Sequence, residues 1–150
     1  MTENACRFVG PKSFEAVTGS PVFTSLWTKS EEYRIKHVNL VDWADIVVLA
    51  PATANIIAKI TNGICDDLLS ATFCVCWQKP TLLAPAMNGN MWHNPAVQRN
   101  VERAREMGFN LIGPTKGRLA NGAIAEGRMS EPKDILEAVE KLASKIKKSG

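Results

Sequence analysis

Two strand-like apolar runs each lead directly into a turn of proline, alanine and polar amides. The run Ile46-Val47-Val48-Leu49-Ala50 is continuous and β-branched, as expected of a central parallel strand. It passes into Ala50-Pro51-Ala52-Thr53-Ala54-Asn55. The run Thr81-Leu82-Leu83-Ala84 reads as a second buried strand and passes into Pro85-Ala86-Met87-Asn88, with Met91-Trp92 close behind. Between them, Ala54–Asn62 carries Ile56, Ile57 and Ile60 at helical spacing and stops at Gly63. Strands that alternate with helices predict an α/β fold, a parallel sheet with helices on both faces. In such sheets ligands bind beyond the carboxyl ends of the strands, where both turns lie.

The rest of the chain fits this pattern. Pro11 and Gly19 bracket a short helix over Phe14–Thr18, and Ser20–Trp27 reads as a loop or short extended piece. Lys36–Leu40 leads into a short turn at Trp43-Ala44-Asp45. Asp66–Gln78 reads as one helix, apolar all round and therefore buried, in part against another subunit. Pro80–Ala84 is a strand, Asn94-Pro95 opens a helix that runs to Met107, and Phe109–Gly113 is a third strand. Pro114–Gly127 reads as a loop, and Glu131–Lys148 as a final helix through Ile135, Leu136, Val139 and Leu142.

Composition narrows the function. At 150 residues the chain makes one domain, and 45% hydrophobic with 22% charged residues is ordinary for a globular protein. The net charge of +3 is small, and the basic tail Lys141–Lys148 reads as a solvated helix end, so no nucleic-acid partner is expected. No apolar run approaches a membrane span and no signal core opens the chain, which points to the cytoplasm. Cys6, Cys65, Cys74 and Cys76 fit no zinc spacing and read as free thiols. No metal is expected.

The segments Ala50–Asn55, Pro85–Trp92 and Gly127-Arg128-Met129-Ser130-Glu131-Pro132 resemble the flavin-dependent cysteine decarboxylases. The resemblance runs from Met1-Thr2-Glu3-Asn4-Ala5 to about Ile135. It implies a Rossmann-like (flavodoxin-like) fold, FMN as cofactor, a homo-oligomer that is trimeric or built of trimers, and flavin sites at subunit boundaries. It further implies that 4′-phosphopantothenoylcysteine is decarboxylated to 4′-phosphopantetheine in coenzyme A biosynthesis. Met1–Ala5 resembles the end of the family's second strand and the turn after it. The expectation is therefore a flavoprotein domain over 1–150 whose first strand-loop-helix, about 30 residues with the phosphate-binding turn, is missing. No second domain is expected, although bacterial relatives commonly continue into a synthetase.

The chemistry explains the residues. A cysteine carboxylate loses CO₂ readily once its CH₂–SH is oxidised, because a C=S bond β to the carboxylate accepts the electrons of the breaking C–C bond. Flavin is the hydride acceptor for that oxidation, and the protein orients the substrate and moves protons. His37, in a segment resembling the family's catalytic-histidine segment, is the candidate proton-handling group, since imidazole titrates near neutrality; the plainer alternative is a surface histidine. Asn88 is the candidate anchor for the substrate carboxylate, or else an asparagine that stabilises its own turn. Thr53, Ala54 and Asn55 are expected at the flavin, with a plain helix cap as the alternative. By resemblance Thr2 and Ala86 also contact flavin. His93 matches no catalytic position and reads as a surface or capping residue.

Arg118–Met129 resembles the flap that closes over bound substrate, which makes Asn121 and Met129 candidate substrate contacts. Family members often carry Ala-Cys-Gly in the flap, with the cysteine as a proton donor. This chain has Ala120-Asn121-Gly122, so the last protonation needs another donor. Two alternatives stay open. One is a peptidyl-cysteine decarboxylase of peptide modification, which the missing flap cysteine suits. The other is a non-catalytic flavin-binding or regulatory subunit, although those tend to carry acidic tails and this chain has none.

Overall fold

The computed structural model describes residues 1–27 and 36–149, without the side chains of 36–39 and 147–149. In chain order the elements are α1 (Glu3–Phe8), α2 (Pro11–Thr18), α3 (Lys36–Trp43), β1 (Val47–Ala52), α4 (Ala54–Thr61), α5 (Leu68–Val75), β2 (Thr81–Pro85), α6 (Gly89–Trp92), α7 (Pro95–Glu106), β3 (Asn110–Leu111), β4 (Thr115–Arg118), β5 (Ile124–Arg128) and α8 (Pro132–Ser149). β1, β2 and β3 form a parallel sheet in that order, and β4 and β5 form a separate antiparallel pair.

β2 organises the core. All five of its residues are buried, as a strand covered on both faces requires. Side chains alternate across a strand. Leu83 faces one cluster with Leu49 of β1, Ile56, Ile57 and Ile60 of α4, Phe73 of α5 and Val101 and Ala104 of α7. Leu82 and Ala84 face the other, where Ile135, Ala138, Val139 and Leu142 of α8 pack. The expected two-faced parallel sheet is therefore present. β1, however, lies at the end of the three strands, with Val48 41% exposed. Its register shifts between Leu49 and Ala52, around Pro51, which cannot donate to the ladder.

The helix boundaries have local causes. The Thr53 hydroxyl caps α4 by accepting from the Ile56 N–H at 3.4 Å. Asp67 and Ser70 form a reciprocal capping box at α5, with Ser70 N–H donating to Asp67 Oδ1 at 2.8 Å. Asn94 caps α7 with Pro95 in its first turn, as the sequence predicts. Gly19 ends α2 in the left-handed region.

Four expectations change. Lys36–Leu40 is helical and continues to Trp43 as α3, which packs on α5 and buries Val41, while Ala44 and Asp45 follow the helix. Glu3–Ala5, expected in a turn, open the helix α1, which Thr2 caps by accepting from the Ala5 N–H at 3.2 Å. The predicted helix Asp66–Gln78 ends at Val75, and a 3₁₀ turn over Cys76–Gln78 leaves Trp77 58% exposed. The predicted loop Pro114–Gly127 is the β4–β5 hairpin. Its tip closes through Leu119 N–H to Ala123 O at 2.8 Å and Gly122 N–H to Leu119 O at 2.9 Å.

Candidate active site

The Pro85–Asn88 turn is held from two sides. The Ala86 N–H donates to Ala52 O at 3.0 Å, which fixes it to the end of β1. The Met87 N–H donates to Gly127 O at 2.9 Å, which fixes it to the returning strand of the hairpin. Gly127 adopts φ 134, and a Cβ there would lie 2.2 Å from Met87 O, so only glycine lets β5 cross the turn this closely. Farther along, His93 Nε2 on the turn's side lies 3.5 Å from Glu126 Oε2 of β5.

The space between turn and hairpin is a cleft of about 500 Å³. Its walls are Ala86, Met87 and Asn88 from the turn, residues 118–121 from the hairpin tip, and Gly127, Arg128 and Met129 from the hairpin's return. Phe8, at the end of α1, forms the rim. The polar groups in the lining are two amides, Asn88 and Asn121, and two guanidiniums, Arg118 and Arg128, and no lining residue is acidic. The arrangement suits an anionic ligand.

Of the residues named from sequence, Ala86, Asn88, Asn121 and Met129 meet in this one cleft. Asn88 caps α6, its Oδ1 accepting from the Asn90 N–H at 2.8 Å. That is the turn-stabilising role, and it leaves the NH₂ of the same exposed amide as the donor for a ligand. Asn121 does likewise, its Oδ1 accepting from the Ala123 N–H at 3.2 Å. Met129 is half-buried and packs on the Leu82–Ile135 cluster.

Thr53, Ala54 and Asn55 stand one residue past the Ala52 carbonyl that binds Ala86, at the N-terminus of α4. Thr53 and Asn55 are exposed there. Thr2 does not line the cleft; it caps α1, whose last residue, Phe8, does. Of His37 only the backbone is described, in the first turn of α3, and its side chain lies outside the described residues. His93 is the C-cap of α6.

Sequence reasoning missed Phe8 as a cleft residue, and it named Arg118, Leu119 and Arg128 only within the flap segment, with no role of their own. Asn121-Gly122, a strong hairpin signal, would have disclosed the hairpin that carries the last three. Among the described residues no cluster of His, Cys, Asp or Glu could hold a metal ion. No described helix is long and apolar enough to cross a membrane.

The residues fit the ring of a flavin. Small Ala86 in the cleft lining, with the exposed Thr53 and Asn55 side chains at the Thr53-capped N-terminus of α4 next to the Ala52–Ala86 hydrogen bond, offers donors and acceptors of the kind a flavin edge takes. The family model for flavoproteins matches residues 1–144, and the chain belongs to the flavoprotein family. It is 43% identical over 141 residues to the coenzyme A biosynthesis bifunctional protein CoaBC of Bacillus subtilis strain 168, covering 94% of this chain and 34% of that protein. The chain thus spans about a third of the length of the curated relatives it matches.

Among solved structures, the FMN-dependent cysteine decarboxylase SpaF superposes with a TM-score of 0.79 at 39% identity, over 95% of this chain and 77% of that one. A cysteine-to-serine mutant of PPC decarboxylase complexed with pantothenoylaminoethenethiol gives a TM-score of 0.73 at 39% identity, over 79% of this chain and 65% of that one.

Proposed function

We propose that this chain is the FMN-dependent carboxy-lyase that converts 4′-phosphopantothenoylcysteine to 4′-phosphopantetheine in coenzyme A biosynthesis. The observation that carries the reading is the Pro85–Asn88 turn, tied at once to the end of β1 and to the hairpin, with a cleft free of acids between them. Bound FMN would supply the acceptor for a hydride from the cysteine CH₂–SH and, after loss of CO₂, the donor that returns it to the enethiol, so no external reductant is needed. Thr53, Ala54, Asn55 and Ala86 would border its ring, with Thr2 a further contact. The Asn88 NH₂ would hold the substrate carboxylate, because a neutral amide donates to it at any cellular pH. Asn121 and Met129 would flank the substrate, and His37 would take the proton. The bifunctional relatives support an association with phosphopantothenoylcysteine synthetase in the same polypeptide.

A homotrimer in the cytoplasm completes the proposal. Trp43, the last residue of α3, is 84% exposed and Trp77, in the 3₁₀ turn after α5, is 58% exposed, apolar surface that a second copy would cover. Light scattering of the full chain with FMN should give three copies.

One observation favours a second reading, a peptidyl-cysteine decarboxylase. The hairpin tip carries Asn121, whose side chain caps its own turn and brings no thiol. The two readings separate in one assay. The full chain with FMN is given 4′-phosphopantothenoylcysteine or a peptide ending in cysteine, and CO₂ and product are measured. CO₂ and 4′-phosphopantetheine from the first substrate alone are expected. CO₂ from the peptide alone would replace the main reading with the second, and none from either would refute both.

A further inference from the structure

The cleft carries one more cation than its own structure uses. Arg128 is committed: its Nη2 lies 2.6 Å from Glu131 Oε1, and its side chain runs over Gly117, where a Cβ would come within 2.7 Å of Cδ. Glu126, the acid of the same strand, lies against His93. Arg118 ends β4 beside the hairpin tip, lines the cleft, is exposed, and forms no ion pair among the described residues. With no acidic residue in the lining, its charge is uncompensated where a ligand would lie.

We infer that Arg118 anchors a second anionic group of the substrate, a phosphate monoester remote from the cysteine carboxyl. This rests on the decarboxylase reading and adds to it. A substrate with a single carboxylate uses the Asn88 amide and leaves Arg118 unpaired. A substrate with a carboxylate and a phosphate uses both, and a guanidinium matches phosphate oxygens in a bidentate fork. Arg118 is then a specificity residue that separates phosphorylated small molecules from unphosphorylated cysteine peptides.

The test is calorimetric binding of 4′-phosphopantothenate and of pantothenate to the full chain with FMN. The wild type should bind the phosphorylated form about tenfold more tightly, as one charge-assisted contact at an exposed site provides. Arg118→Gln should remove that preference while leaving pantothenate binding unchanged, and Arg118→Lys should keep most of it. Equal or undetectable binding of the two by the wild type would overturn the inference, as would a preference that survives Arg118→Gln. A parallel CO₂ assay separates this from the function itself. A phosphate preference lost in Arg118→Gln but without CO₂ release sinks the decarboxylase reading and keeps the anchor. Normal CO₂ release without a phosphate preference sinks the anchor alone.

Discussion

β2, through the turn that follows it, and the β4–β5 hairpin meet at the same cleft but are held there by different means. β2 has every residue buried and helices packed on both sides. In the hairpin only Gly127 is buried, Ile124 is 73% exposed, and the strands bond mainly to each other. Its links to the platform include the Met87–Gly127 hydrogen bond, the His93–Glu126 contact and the packing of Ala125 and Glu126 on buried Gly89 of α6. Burial supports one wall, whereas a smaller and more exposed contact makes the other the more separable. Elements of low local stability are the ones that open to admit ligands. Asn88, the proposed carboxylate anchor, lies on the better-supported side and Arg118 on the more separable side.

The largest difference should appear in stability. Leu83→Ala, which empties a fully buried site in β2, should cost about 2–5 kcal/mol in urea unfolding. Ile124→Ala in the hairpin should stay within about 0.5 kcal/mol. Equal losses would erase the contrast. Next, Gly127→Ala forces a Cβ against Met87 O at a left-handed φ. Backbone strain of about 1–3 kcal/mol should then free the Met87 amide, which hydrogen exchange would report as a local rate increase while β2 stays protected. A uniform increase across both regions would show that the hairpin is part of the platform.

A smaller effect lies at the capping box of α5. Asp67→Ala should cost about 1 kcal/mol in thermal unfolding. The Asp67 carboxyl is desolvated, which raises its pKa, but the Ser70 N–H and Lys59 outweigh that and hold it below the usual carboxylate range. A depressed carboxylate contributes above its unfolded pKa and loses that contribution as pH falls through the folded value. The gap between wild type and Asp67→Ala should therefore be full at neutral pH and close in acid. A gap that persists at low pH would remove the charge from the account.

The smallest effect is kinetic. A hydrogen bond with Cys74, with desolvation and nearby Asp66 and Asp67 adding to it, pushes the Cys65 thiol up to about 11. Although exposed, Cys65 should alkylate slowly at pH 8 and faster as pH rises toward 11, and Cys74→Ala should speed it at pH 8.

The platform was legible in the sequence because strands of a parallel sheet read as unbroken apolar runs. Leu82 to Ala84 and Ile46 to Ala50 are apolar without interruption, and Asn94-Pro95 and Gly63 mark helix ends by local geometry alone. α3 was not legible: β-branched Val38 and Val41 and polar Asn39 and Asp42 carry no strong helical signal, and packing of Val41 into the core makes the difference. The hairpin was missed as structure because its strands, Thr115–Arg118 and Ile124–Arg128, are too polar to show an apolar alternation. The turn residues of the site were legible through their resemblance to a family. The two arginines were not, because a charge in a polar segment has no meaning until the fold sets it opposite a neutral amide.

The central claim is that the better-supported wall binds a carboxylate through Asn88, and Asn88→Asp tests it most directly. The measurement is CO₂ release against 4′-phosphopantothenoylcysteine concentration, with flavin absorbance recorded alongside. At an effective dielectric near 20, two like charges about 4 Å apart repel by about 4 kcal/mol, an upper guide of about a thousandfold in affinity. The account predicts a large rise in KM, with the flavin spectrum unchanged because the new charge lies on the substrate side of the cleft. Normal turnover and normal KM in Asn88→Asp would contradict it and leave Asn88 as a residue that only caps α6.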